Sequence, residues 1–140
     1  MKLTICGSST FRNEMLEYRE KLGKLGHEGI VHPDYEALVK GLKPKLAHKI
    51  EHEHSEAKKE NGYIKWYYDA IFNSDGILVL NFDKKGISNY IGGNTLMEIG
   101  FAHVNNKKVF LLNDVPNVSY KDEILAMYDN ILGGDLTNIN

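Results

Sequence analysis

The sequence predicts an α/β domain, doubly wound, with about five parallel strands and helices on both sides. Three observations predict it. Short apolar segments ending in polar loops recur along the chain. Segments of helical spacing alternate with them. And Gly76-Ile77-Leu78-Val79-Leu80 is a continuous apolar run, as in a central parallel strand buried on both faces. The length of 140 residues suits a single domain spanning residues 1–140. Hydrophobic residues make up 42% and charged residues 26%, which excludes a disordered, collagen-like or membrane protein. No apolar run approaches the roughly 18–20 residues needed to span a bilayer, so no membrane partner is expected. The net charge of −2 offers no basic field for a nucleic-acid polymer. With Cys6 as its one cysteine and no signal-like N-terminus, the chain is expected in a reducing cytoplasm.

The elements follow in order. Leu3, Ile5 and Cys6 form a buried strand that stops at Gly7-Ser8-Ser9-Thr10. A helix follows from about Arg12 to Leu25, with Met15, Leu16, Leu22 and Leu25 on one face and Gly26 as its cap. A second strand covers His27 to His32, and Pro33-Asp34 ends it. Residues 34–62 are polar, with a helix expected from Pro44 onward and a break at Asn61-Gly62. Tyr63 to Asn73 is a helix with an aromatic face. The central strand follows, then a polar loop from Asn81 to Gly93 and a helix from Asn94 to Val104. Lys108 to Leu112 is a strand, Tyr120 to Tyr128 a helix, and Ile131-Leu132 a final short strand.

In such sheets, ligands bind at the carboxyl ends of the strands, where the strand order reverses. Three loops should meet there. Gly7-Ser8-Ser9-Thr10 offers backbone amides and hydroxyls, which suit either a phosphate or a plain Ser/Thr-capped turn. It is neither a Walker loop nor a dinucleotide fingerprint. Asn81-Phe82-Asp83 places polar groups over the edge, or is a solvated loop. The third segment, Gly92-Gly93-Asn94-Thr95-Leu96-Met97-Glu98-Ile99-Gly100, carries the strongest signal. Its glycines permit close backbone approach to a ligand. Asn94 and Glu98, four apart, share a helix face. Glu98 lies among apolar residues, so it needs either a charge partner or a role at the floor of a pocket. An ionised carboxylate so placed can attack an electrophilic sugar carbon.

Ile5-Cys6-Gly7-Ser8, Asp75-Gly76-Ile77-Leu78-Val79, Gly93 through Met97-Glu98-Ile99-Gly100-Phe101-Ala102, and Lys107-Lys108-Val109-Phe110-Leu111 together resemble the nucleoside 2-deoxyribosyltransferase-like superfamily. That superfamily includes nucleoside deoxyribosyltransferases and 2′-deoxynucleoside 5′-monophosphate N-glycosidases. The resemblance covers residues 2–9 and about 69–113. It implies a flavodoxin-like or Rossmann-like three-layer sandwich. It also implies cleavage or base exchange at the N-glycosidic bond of a nucleoside or nucleoside 5′-monophosphate. Glu98 matches the nucleophile that forms an ester with the anomeric carbon. Gly7 and Ser8 match the loop that helps hold the 5′-phosphate in the hydrolases, and Ser9 extends it. The arginine that follows that loop closely in the hydrolases is absent; Arg12 comes later. The superfamily's helix aspartate, eight residues before the position of Asp75, is Tyr67 here. Asp69 and Asp83 are then the candidates to orient or protonate the base. An Asp or Ser is usual six residues before the nucleophile; here the residue is Gly92, with Asn89 and Asn94 nearby. Asn81, Tyr90, Gly92, Gly93 and Asn94 complete the expected binding residues. No metal or redox cofactor is implied. The expected partner is a small-molecule nucleoside or nucleotide, in a homodimer or higher homo-oligomer. In relatives, C-terminal residues can complete a neighbour's pocket, which makes Asp135 and Asn138 candidates. Hydrolase and transferase stay open, and the alternative is a nucleotide-binding module without turnover.

Other features have plainer readings beside functional ones. His48 and His52 have the i, i+4 spacing of a zinc pair, with His54, Glu51 and Glu53 close by, yet a salt-bridged helix face accounts for the pattern. Tyr63, Trp66, Tyr67 and Tyr68 suit base stacking, core packing or a dimer interface. Cys6 is expected to be inert and His103 structural.

Overall fold

The chain runs β1 (Lys2–Gly7), α1 (Arg12–Lys24), β2 (Glu28–Ile30), α2 (Pro33–Val39), α3 (Tyr63–Phe72), β3 (Gly76–Leu80), α4 (Gly93–Val104), β4 (Lys108–Leu111), α5 (Lys121–Met127) and β5 (Asn130–Ile131) in a computed structural model that describes residues 1–41 and 62–140. The five strands are all parallel, in the order β2-β1-β3-β4-β5, with helices flanking the sheet. This is the flavodoxin-like three-layer arrangement, and the order reverses between β1 and β3. The helix expected from Pro44 onward and the His48, His52 and His54 cluster lie outside the described residues.

The central strands are apolar because nothing about them meets water. Every residue of β3 is buried, and Leu78 pairs with Ile5 of β1 on one side and Phe110 of β4 on the other. Those three side chains are all fully buried. Gly76 starts the strand because a Cβ there would stand 2.6 Å from the Lys108 carbonyl oxygen. At the amino end the Lys2 amide donates to the Asp75 carboxylate at 2.7 Å, tying β1 to the entry of β3. The buried hydroxyls of Thr4 and Ser74 bond to each other at 2.8 Å, and Ser74 also donates to the Ala70 carbonyl.

The helices cover the sheet with the residues their spacing marked. Met15 and Leu22 of α1 are buried, seven positions apart on one face. Leu25, expected on that face, is exposed as the C-cap, and Gly26 in the left-handed region closes the helix. In α3 the buried side is Tyr63, Tyr67 and Ile71. α4 packs beside α3, burying Ile99 and Ala102.

One helix escapes the sequence reading. Pro33 does not merely end β2; it opens α2, where a missing amide costs nothing. The cap is His32, whose Nδ1 accepts from the Asp34 amide at 2.9 Å. Histidine is not among the usual capping residues, so the signal was absent. β5 begins one residue earlier than expected, at Asn130. Among the described residues no helix is long and apolar enough to cross a membrane.

Candidate active site

The reversal between β1 and β3 opens a gap at the carboxyl edge, and the loops after those two strands run along its sides. A cavity forms there, walled by the Gly7–Ser9 loop, the loop carrying Lys84, Lys85 and Tyr90, the start of α4, and tyrosines of α2 and α3. α2 and α3 are joined across the wall by the Tyr63 hydroxyl, which donates to Asp34 at 3.0 Å. Burial, then the Asp34 carboxylate, raises the Tyr63 pKa and keeps that hydroxyl protonated.

Glu98 lines the cavity from the second turn of α4 and is only 7% exposed. Three of its neighbours are weak acids that stay neutral. Cys6 is wholly buried and its thiol donates to the Thr4 carbonyl at 3.8 Å; burial first, and next the negative charge of Glu98, raise its pKa well above the usual thiol range. Tyr35 and Tyr67 are likewise raised, by burial before all else and with Glu98 contributing to each. One carboxylate thus stands among three protonated groups. The Tyr67 hydroxyl is buried with no hydrogen-bond partner. Its ring is held by Trp66, at 5.0 Å between centroids, and Trp66 in turn packs on His32 at 4.4 Å.

The first loop is shaped by Gly7. Its φ is 157° and a Cβ would lie 3.0 Å from the Leu80 carbonyl oxygen, so no side chain fits. Ser8 then caps a short 3-10 helix, Ser9–Phe11, by accepting from the Thr10 amide. The same hydroxyl accepts from the Lys84 ammonium at 2.6 Å, which joins the first loop to the loop after β3. Arg12 donates to the Ser9 carbonyl at 3.2 Å. Lys84 and Ile87 exchange backbone hydrogen bonds across a tight turn, with Lys85 at φ 54°. The ammonium groups of Lys84 and Lys85 lie 5.5 and 5.9 Å from the centroid of the Tyr90 ring.

The structure brings together Glu98, Gly7, Ser8, Ser9, Tyr90, Gly92, Gly93 and Asn94 at this cavity. It places the remaining candidates elsewhere. Asn81 is fully buried and faces β4: its amide donates to the Asn113 and Asp114 carbonyls at 2.9 and 3.0 Å and accepts from the Asn113 amide at 2.9 Å. It is a clasp between strand ends, because its polar atoms are all consumed there. Asp69 is exposed on α3; two residues past Tyr67 is about 200° around the helix, away from the cavity wall. Asp83 is exposed and fastens its own loop by accepting from the Asn89 amide at 2.9 Å. Asp135 accepts from Thr137, and the Asn138 side chain donates to the Leu132 carbonyl, so both serve the C-terminal turn. His103 is exposed near the end of α4. The role of Gly92 also changes. A Cβ there would meet the Tyr90 hydroxyl at 2.9 Å, so this glycine makes room for Tyr90.

Lys84, Lys85, Tyr35, Ile64 and Thr95 line the cavity and were not singled out by the sequence. The adjacent lysines in a loop at the carboxyl edge were a readable signal. Tyr35 was not, because its helix was unread. Among the described residues no three metal-ligating side chains cluster. Comparison of the chain with protein-family models, with curated proteins and with solved structures finds no match.

Proposed function

We propose that this cavity binds a nucleoside 5′-monophosphate and that Glu98 attacks its anomeric carbon, cleaving or exchanging the N-glycosidic bond. The observation that carries the reading is a buried carboxylate in a cavity whose loop side bears two lysines, serine hydroxyls and the start of a 12-residue helix. A carboxylate there serves as nucleophile, and cations beside the loop amides suit a phosphate. A second reading has its own support. Neither Asp69 nor Asp83 reaches the cavity, and a tyrosine stands where the resemblance expects an aspartate. A nucleotide-binding module without turnover is therefore the alternative.

The test is the intact mass of the protein after incubation with deoxynucleosides and their monophosphates, with released bases measured in the same run. A glycosyl-sized adduct and free base are expected. Retained ligand with neither adduct nor base decides for the binding module. Lys84→Ala should raise KM for the monophosphate about tenfold and leave the nucleoside unchanged, since a charge-assisted hydrogen bond is lost. Equal effects on both ligands remove the phosphate from the reading.

The reading also includes a second copy of the chain. Ile64, Tyr68 and Phe72 lie at i, i+4 and i+8 along α3 and are 42%, 39% and 53% exposed, and Tyr68 packs on Phe101 of α4 at 5.1 Å between centroids. Such an apolar edge suits a self-association surface. Sedimentation equilibrium at micromolar concentration should give a dimer, and a monomer sinks this assignment.

A further inference from the structure

We infer that Tyr67 is the hydrogen-bond donor to the departing base, an inference that rests on the glycosyl-transfer reading of the same cavity. Buried donors in folded proteins are nearly always paired, and leaving one unpaired costs on the order of 1–3 kcal/mol. Tyr67 is 4% exposed, lines the cavity, and its hydroxyl has no partner. The Tyr35 ring is a close neighbour, 6.5 Å away between centroids. The fold therefore holds a donor that the folded chain itself does not use. A bound ligand with an acceptor atom would satisfy it.

The surroundings say which part of the ligand. An anionic phosphate would be repelled by Glu98 and suits the lysine side. The side of the cavity that α2 and α3 supply adds Tyr35, Tyr63 and Ile64 to Tyr67, all uncharged and mostly aromatic, which suits the heterocyclic base. In the step, a Glu98 carboxylate oxygen bonds to the anomeric carbon as the carbon–nitrogen bond breaks. The electron pair goes to the base nitrogen. Tyr67 donates a hydrogen bond to the base as that charge develops and keeps its own proton; the base takes its proton from water. A second water then attacks the anomeric carbon and displaces the carboxylate, releasing the sugar, and its proton neutralises the hydroxide left when the base was protonated. Burial raises the Tyr67 pKa, so the hydroxyl keeps its proton near neutral pH and is available as a hydrogen-bond donor.

The assignment makes a paired demand on Tyr67→Phe that a structural hydroxyl would not meet. The ligand-free variant should melt at or above the parent's temperature, because an unpaired donor has been removed. Its kcat for base release should fall about 100-fold with KM little changed, the loss of one transition-state donor. The acid limb of its pH profile should stay in place. A clear drop in the ligand-free melting temperature overturns the inference, since the hydroxyl then has a partner in the fold. So does unchanged kcat in Tyr67→Phe when Glu98→Gln is inactive, and in that case the glycosyl chemistry stands alone. Binding without turnover in the parent, weakened in Tyr67→Phe, upholds the donor and overturns the nucleophile. No thermal shift from any deoxynucleoside or monophosphate in the parent overturns both.

Discussion

Glu98→Gln should abolish the glycosyl adduct and lower base release by at least about 1,000-fold, as loss of a catalytic nucleophile does elsewhere. Glutamine has the same shape and keeps one acceptor oxygen. It cannot form the ester, because a neutral amide oxygen is a poor nucleophile and the charge that balances the cationic anomeric carbon is gone. The fold should survive, since glutamine fills the same space at a position that is only 7% exposed. The variant should still bind the monophosphate through its lysine and aromatic walls, so KM or the thermal shift should stay near the parent's. A glutamine variant that releases base at the parent rate would sink the nucleophile assignment. One that neither folds nor binds would call for Glu98→Asp, which shortens the side chain by one methylene and should retain charge with reduced turnover.

The largest stability effect is expected at Asn81. Its side chain makes three hydrogen bonds to the backbone of Asn113 and Asp114, and the Asn113 side-chain amide donates back to the Asn81 main-chain carbonyl at 3.1 Å. Asn81→Ala keeps only the last of these. It strips buried backbone groups of their partners and leaves a small void. The loss should be about 3 kcal/mol, a drop of roughly 10 °C in Tm for a domain of this size. Measured well below that Tm, KM for the monophosphate should barely move, because no Asn81 atom lines the cavity. The opposite pattern, an unchanged Tm with a tenfold rise in KM, would make Asn81 a ligand contact.

The two predictions separate what could be read from what could not. Glu98 was legible because a carboxylate between Met97 and Ile99, four residues after Asn94, conflicts with its apolar surroundings. Such conflicts between local pattern and residue type mark functional positions. Asn81 was legible as a polar residue at the end of a central strand but not as a clasp. Its partners lie more than thirty positions away, in the loop after a strand whose register only pairing decides. Asp69 and Asp83 show the same limit. Each is the right chemical type near the right place in the chain, and a helix rotation or a loop turn carries it out of the cavity.

By itself the sequence determined the fold class and all of the described strands and α-helices but α2. Apolar runs specify buried parallel strands, and 3.6-residue spacing specifies the helices between them, because both signals are local and repeat. It also determined which carboxylate is out of place. The tertiary structure alone decided the strand order and the walls of the cavity. It brought Tyr35 from a helix capped by His32, Lys84 from a loop tied to Ser8, and Tyr67 from α3 to one carboxylate. These groups come from segments far apart in the chain, and their meeting depends on the reversal between β1 and β3. No local pattern encodes that reversal, since it is set by packing the whole sheet at once.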